Sequence, residues 1–340
     1  MKDRHHYQRQ NAALDPETDY EQMYRNLSFY DFPWDINQAL NFALFRTYAV
    51  PSIGNLLFQT AQLTEHAQKR YDDTVILLEI PARDGYDSAT ARSALRRINQ
   101  MHALYDIPNE DMLYVLSTFV VVPVRWIGDF GWRPLLPTEQ RAVVNYYRRL
   151  GQMMGLRDIP ETYGAFARLM DSHEAAHFAF DVGGRKVADS TMKLLQSFYP
   201  AQAGGAVNVF SRALMDGPLL EAFRYDDPGP LARRLSRGAL KLRARVVALL
   251  PPKPRPTLIA EGPTVRSYPQ GYRTEDLGTF KRAAGPAPQG AAGPSLGAGC
   301  PFPHAGAAAS SAGTFSSPAP ASGEAQDSQN ASPGTPETRA

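Results

Sequence analysis

The sequence predicts an all-α protein, and three observations carry that expectation. Segment after segment places apolar residues three and four positions apart, the period of a helix with one face turned inward. Proline and glycine fall mainly between those segments, where they punctuate helices. Hydrophobic residues make up 43% of the 340, enough for a sizeable core. The stretch that also suits a strand is TFVVVPV, Thr118 to Val124, because of its branched side chains. Three regions follow from composition: a polar N-terminal segment over 1–35, a helical domain over 36–282, and a tail over 283–340.

The first segment interleaves aromatics with charges. It reads as a short helix capped by Asp15 or Thr18 and ended by Pro33, with His5 and His6 as ordinary surface on a mobile terminus. From Asp35 a helical stripe runs through Ile36, Leu40, Ala43, Leu44 and Tyr48 and stops at Pro51. Arg46 sits in that apolar setting, either as a salt-bridge residue or as a binder of an incoming carboxylate. A second helix is expected from Ile53 to Ile80, bounded by Pro51 and Pro81. Arg70, Asp73, Thr74 and Leu77 share one of its faces, which by itself reads as solvated.

PARDGYDS is a turn, and Ser88 is the N-cap of the next helix. Leu95, Ile98, His102 and Tyr105 then form its inward stripe. An imidazole on an inward face needs a partner, either a polar group of the protein or a metal ion. After DIPNED a long apolar helix begins at Asp111 and is expected to kink or end at Pro123. Trp126 and Trp132 bracket a glycine turn as packing anchors. Arg125 and Arg133 beside them either stack on the indoles or meet anionic groups.

PTEQRAVVNYYRRLGQMMGL reads as a helix with a threonine cap and a stop at Gly155. The next helix contains His173-Glu-Ala-Ala-His177, which fits HExxH. Histidines four apart share a helix face and can both reach zinc, with Glu174 as base and Glu221 as a further ligand. That pattern also arises by chance, and His177 then remains a pocket-lining residue. Two further helices lead to a basic amphipathic one over 231–250. There Leu231, Leu235, Leu242, Val246 and Leu249 form one stripe and Arg234, Arg237, Lys241 and Arg245 another. It reads either as a surface for peripheral membrane contact or as a helix packed on the domain with its cations in water. From Arg282 the composition turns to Ala, Gly, Pro and Ser, which predicts disorder.

Charge and cysteine content exclude several classes. A net charge of +2 argues against a general nucleic-acid binder. A single cysteine, Cys300, allows no intrachain disulfide and no cysteine-rich zinc site, and there is no CxxCH for covalent haem. The sequence opens on no apolar signal core, and no apolar run approaches the roughly 18 residues of a membrane span. A cytoplasmic or peripheral-membrane address is therefore expected.

Three stretches carry a resemblance: RINQMHALY from Arg97, DMLYVLSTFVVVPVRWI from Asp111, and GWRPLLPTE from Gly131. Weaker likeness extends through FALFRTYAVPSIGNLL, KRYDDTVILL, RKVADSTMKLL and YPQGYRTEDLGTF. The chain resembles the superfamily of MpaB oxygenases and rubber oxygenases, most of all the MpaB branch. The resemblance implies a globin-like helical core around haem b, with His102 as the iron ligand. It implies dioxygen chemistry that cleaves carbon–carbon double bonds of an isoprenoid or similar apolar chain. Arg70, Asp73 and Thr74 resemble the Arg-x-x-Lys-Thr motif on the distal side of the rubber oxygenase haem. Asp73 stands where that motif has lysine, and is the candidate distal acid–base group. Arg46, Arg125 and Arg133 are candidates for the haem propionates. Asn99 is expected to help orient the His102 ring. Cys300-Pro301 with His304 resembles haem-responsive Cys-Pro motifs. The two alternatives are a zinc hydrolase built on His173, Glu174 and His177, and a non-catalytic helical protein that binds a lipid or a partner.

Overall fold

The long apolar segment expected to kink or end at Pro123 is a single helix. In the computed structural model, which describes residues 3–279, it runs from Asn109 to Phe130 straight through that proline. Proline lacks the N–H that would close one hydrogen bond, but packing compensates, since 14 of its 22 residues are buried. This helix is long and apolar enough to cross a bilayer, yet 72% of its most apolar window is buried inside the protein, so it is the central core helix. The expectation that no apolar run approaches that length is corrected by this helix, whose most apolar window spans 18 residues.

All regular structure among the described residues is helical. We number the helices in chain order: α1 His6–Ala12, α2 Tyr20–Asn26, α3 Pro33–Thr47, α4 Pro51–Gln59, α5 Gln62–Glu65, α6 Ala67–Asp84, α7 Ala89–His102 and α8 Asn109–Phe130. Then come α9 Pro137–Met153, α10 Tyr163–His177, α11 Val182–Gln196, α12 Gly204–Leu214, α13 Gly217–Phe223 and α14 Gly229–Leu249. Helices α3, α9 and α10 pack on α8, α2 on α9, α6 on α7, α4 on α11, and α12 on α14. One large apolar cluster spans α2, α3 and α6 to α10. A smaller one joins the end of α3 to α11 and α13.

Several expected boundaries move for local reasons. The helix expected over 53–80 is three helices: Ala61, at φ 58°, separates the first two, and His66, at φ −127° and ψ 37°, the last two. Pro81 lies inside α6, which ends at Gly85, where φ is 83°. Pro33 starts α3 rather than ending its predecessor, as suits a residue without an N–H at a first helical turn. From Asp3 the first segment packs on the domain: Tyr7 and Asn11 are buried, and the His5 ring lies 5.2 Å from Trp132. Neither Asp15 nor Thr18 caps α2, whose N-cap position is Asp19. Thr138 does not cap α9. Leu136 holds that position, and Glu139 reaches back to accept its backbone N–H at 2.9 Å. The tail expected to be disordered, with the Cys300-Pro301 and His304 motif, lies outside the described residues.

The N-terminal segment is tied down by a buried polar network. Arg133 donates to Glu139 at 2.7 Å and to Asp31 at 2.5 Å, and all three side chains are at most 5% exposed. Asn11 donates to the same Glu139 at 3.0 Å and accepts from Asn26 at 2.7 Å. Helices α4 and α11 meet through two glycines, and a Cβ on either Gly54 or Gly184 would lie 2.4 Å from the Tyr48 carbonyl oxygen. Beyond α14 the chain crosses back over α6 and α7 as an irregular strap. Its backbone amides at Ile259 and Ala260 donate to Glu79, and those at Arg266 and Ser267 donate to Asp72. Arg97 of α7 donates to the carbonyls of Leu277 and Thr279.

Candidate functional site

Helix α7 begins where the sequence places it, with the Ser88 hydroxyl accepting the Ala91 N–H at 3.0 Å. Fourteen residues later it delivers His102 as its last residue. Ala91, Ala94, Leu95 and Ile98 fill the buried face, while Tyr105 falls beyond the helix and is 39% exposed. The His102 ring is half-buried, but its Nδ1 is sealed from solvent and has no hydrogen-bond partner. Asn99, expected to orient it, donates instead to the Met153 carbonyl at 3.0 Å. Burial, and then the nearby Arg70 charge, push the His102 pKa down to about 4. The imidazole is therefore neutral at neutral pH and carries a buried nitrogen that the protein leaves unsatisfied. Both properties suit a metal ligand.

Arg70 comes to this place from α6. Its guanidinium donates to the Thr74 hydroxyl at 2.5 Å, and that hydroxyl donates in turn to the Arg70 carbonyl at 2.7 Å. No carboxylate forms an ion pair with Arg70 among the described residues. Burial lowers its pKa, against the favourable fields of Tyr48, Asp73 and Tyr105. The structure thus brings together Arg70, Thr74 and His102. Thr74 also lines a mostly apolar cavity with Ile36, Leu40 and Leu44 of α3, Leu78 of α6 and Leu150 of α9.

The other expected site residues are engaged elsewhere. Asp73 accepts from Lys69 at 2.8 Å and from the Tyr268 hydroxyl, so its carboxylate is tied to the strap rather than offered to a distal face. Arg46 is clamped by Glu174, to which it donates through Nε at 2.9 Å and through Nη2, and by Asp216 at 2.5 Å. Arg125 forms a two-bonded pair with Asp171 at 2.7 and 2.8 Å on the surface. Arg133 belongs to the buried Asp31–Glu139 network. All three guanidinium groups expected at propionates are thus already paired with carboxylates of the chain.

The two histidines of HExxH lie together on α10, with His173 Nε2 3.5 Å from Asp111, but Glu174 is engaged elsewhere. Glu174 accepts from Arg46 and, at 3.1 Å, from the Tyr114 hydroxyl, which occupies the carboxylate a zinc hydrolase would use as base. The His173 ring stacks on Tyr114 at 4.4 Å and on His177 at 4.2 Å. His177 Nδ1 bonds its own helix at the His173 carbonyl. Among the described residues no three His, Cys, Asp or Glu side chains are grouped to hold a metal ion. The structure argues against the zinc alternative because the expected base is already an ion-pair partner.

Sequence reasoning missed the acids of α6 as acceptors for the strap. Asp72 and Glu79 lie seven residues apart on one helix face, a cue for a shared role, but their amide partners follow 180 to 195 residues later.

Comparison with known proteins bears on what this arrangement does. Residues 42–257 match the family described as ER-bound oxygenase mpaB/B'/Rubber oxygenase, catalytic domain. "ER-bound oxygenase mpaB'" of Penicillium brevicompactum is 30% identical over 248 residues, covering 68% of this chain and 58% of that protein. "ER-bound oxygenase mpaB" of Penicillium roqueforti (strain FM164) is 28% identical, covering 64% of this chain and 79% of that protein. "ER-bound oxygenase mpaB" of Penicillium brevicompactum is 32% identical over 62% of this chain and 58% of that protein. The chain spans little more than half the length of the two P. brevicompactum relatives. With its matched region holding α6, α7 and the whole Arg70–Thr74–His102 group, the chain belongs to the ER-bound oxygenase mpaB and rubber oxygenase catalytic-domain family.

Proposed function

We propose that this protein is a haem b-dependent oxygenase that uses dioxygen to cleave a carbon–carbon double bond in an isoprenoid or similar apolar chain. One observation carries the reading: a buried, neutral imidazole with an unsatisfied ring nitrogen, set beside an arginine without an ion-pair partner, in a chain of an oxygenase family.

His102 fits the group as its protein ligand. A nitrogen that binds iron must be unprotonated, and the low pKa keeps it so well below neutral pH. Haem b bound there would supply the dioxygen chemistry, which no side chain of the set supplies by itself. Arg70 would hold anionic oxygen atoms of the cofactor or its ligands. Its guanidinium is a fixed charge steadied by Thr74 and not neutralised by a partner of its own. The leucine-rich wall behind Thr74 would take an apolar chain and exclude water from it. In the overall reaction both oxygen atoms of dioxygen end as the carbonyl oxygens of the two fragments, so no further reductant is needed.

The test is an absorption spectrum with metal analysis on protein made in haem-replete cells. The wild type should show a Soret band and bound iron, His102→Ala should lose both, and His173→Ala should keep both. A colourless wild type, or a His102→Ala variant that retains haem, would overturn the proposal.

A further inference from the structure

Helix α14 wears its leucines on the outside. Leu231, Leu235, Leu242, Val246 and Leu249 are 51 to 87% exposed. With Leu250 just after the helix, they account for six of the ten large hydrophobic side chains exposed among the described residues. At about 100° per residue they fall within an arc of about 60°. The face packed on the protein is the opposite one, built of Ser236, Leu240 and Ala244. Arg234, Arg237, Lys241 and Arg245 flank the leucine ridge along one side, and all are exposed. No ion pair engages these four among the described residues. The helix carries two more cations, both turned inward and both used: Arg233 pairs with Asp227, and Arg243 with Asp35. It contains no acidic residue.

We infer that this face of α14 docks on an anionic lipid surface, with the leucine ridge entering the acyl boundary and the flanking cations meeting the headgroups. A helix of 21 residues lying flat offers about 31 Å of such contact. The charges decide between this occupant and a second copy of the chain. An antiparallel two-fold interface would cover the leucines but bring one protomer's row of cations against its partner's, and a parallel one would leave both rows without an anionic partner on α14. An anionic bilayer satisfies the leucines and the cations together. The inference needs no haem and stands apart from the proposed activity.

The test is flotation of the full chain with phosphatidylcholine vesicles, alone or containing phosphatidylserine. The chain should float with the anionic vesicles, stay behind with the neutral ones, and release as salt screens the headgroups. The pair Arg234→Gln, Lys241→Gln should weaken partitioning about 25-fold, at roughly fivefold per cation lost. The pair Leu235→Gln, Leu242→Gln should weaken it as well, and since all four side chains are exposed, circular dichroism should be unchanged. Binding to neutral and anionic vesicles alike, no binding to either, or binding indifferent to both variant pairs would overturn the inference. So would a wild-type dimer that the leucine variants convert to monomer without loss of vesicle binding. Haem absorbance measured on the same samples reports separately on the activity.

Discussion

Replacing Glu174 by glutamine separates a structural role from a catalytic one. The carboxylate is 10% exposed and accepts from Arg46, 8% exposed, through two nitrogens, and from Tyr114 through a third bond. Glutamine keeps the shape but sets an NH2 donor against the guanidinium donors and removes the neutralising charge. Breaking a buried pair by removing one partner costs about 3 to 5 kcal/mol. Asp216 still holds Arg46 at 2.5 Å, but its side chain is 47% exposed and compensates only in part, so the lower end of that range applies. A domain of this size loses about 2 °C in melting temperature per kcal/mol, which gives a drop of about 6 °C in calorimetry. The double variant Arg46→Met, Glu174→Leu should recover part of it, because the orphaned cation goes too. If Glu174 were instead the base of a zinc site, Glu174→Gln would abolish a hydrolytic activity with a melting shift under about 1 °C. That result would refute the ion-pair assignment.

Three further outcomes follow from the same geometry. His102 has a folded pKa of about 4 against 6.5 for the free side chain, so the unfolded chain takes up the proton first as pH falls. Its contribution is absent above pH 6.5 and grows as an acid penalty down to pH 4, reaching at most about 3 kcal/mol. Urea unfolding of haem-free protein at pH 7 and 4.5 should show that loss in the wild type, and His102→Phe should remove it; parallel curves would refute it. Gly184→Ala drives a Cβ to 2.4 Å from the Tyr48 carbonyl, and because the obstacle is backbone it should cost about 1 to 3 kcal/mol, read as a lower melting temperature. Arg133→Met leaves Asp31 and Glu139 buried without their cation and should cost about 3 to 5 kcal/mol in denaturant titration, whereas an exposed pair such as Arg125–Asp171 should cost under about 1 kcal/mol when cut.

Local features of the fold were legible because they are written locally. The Ser88 cap, the inward stripe of Leu95 and Ile98, and His102 at its end depend on neighbours within a few residues, and the sequence places them correctly. Breaks that rely on backbone strain were hidden: nothing about alanine announces the positive φ at Ala61 that divides α4 from α5. Pro81 was misread as a helix boundary, and at Pro123 the helix continues rather than ends, because tertiary packing outweighs one lost hydrogen bond. Partnership over distance was hidden altogether. Arg46 and Glu174 lie 128 residues apart, so Arg46 could be named as a charge in an apolar setting but its partner could not. The α14 stripe was visible as a pattern, yet a pattern does not say which face is inside. The protein buries the side built of Ser236, Leu240 and Ala244 and leaves the leucine ridge out.

The strap across α6 has a consequence for how freely its own residues can change. Asp72 and Glu79 hold it through main-chain amides at Ile259, Ala260, Arg266 and Ser267. Every amino acid except proline brings such a donor, so this part of the fastening does not depend on which side chains the strap carries. Two carboxylates on α6 thus dictate the route of the returning chain while leaving its composition open to drift, and the places to look for constraint are the anchors, not the cord.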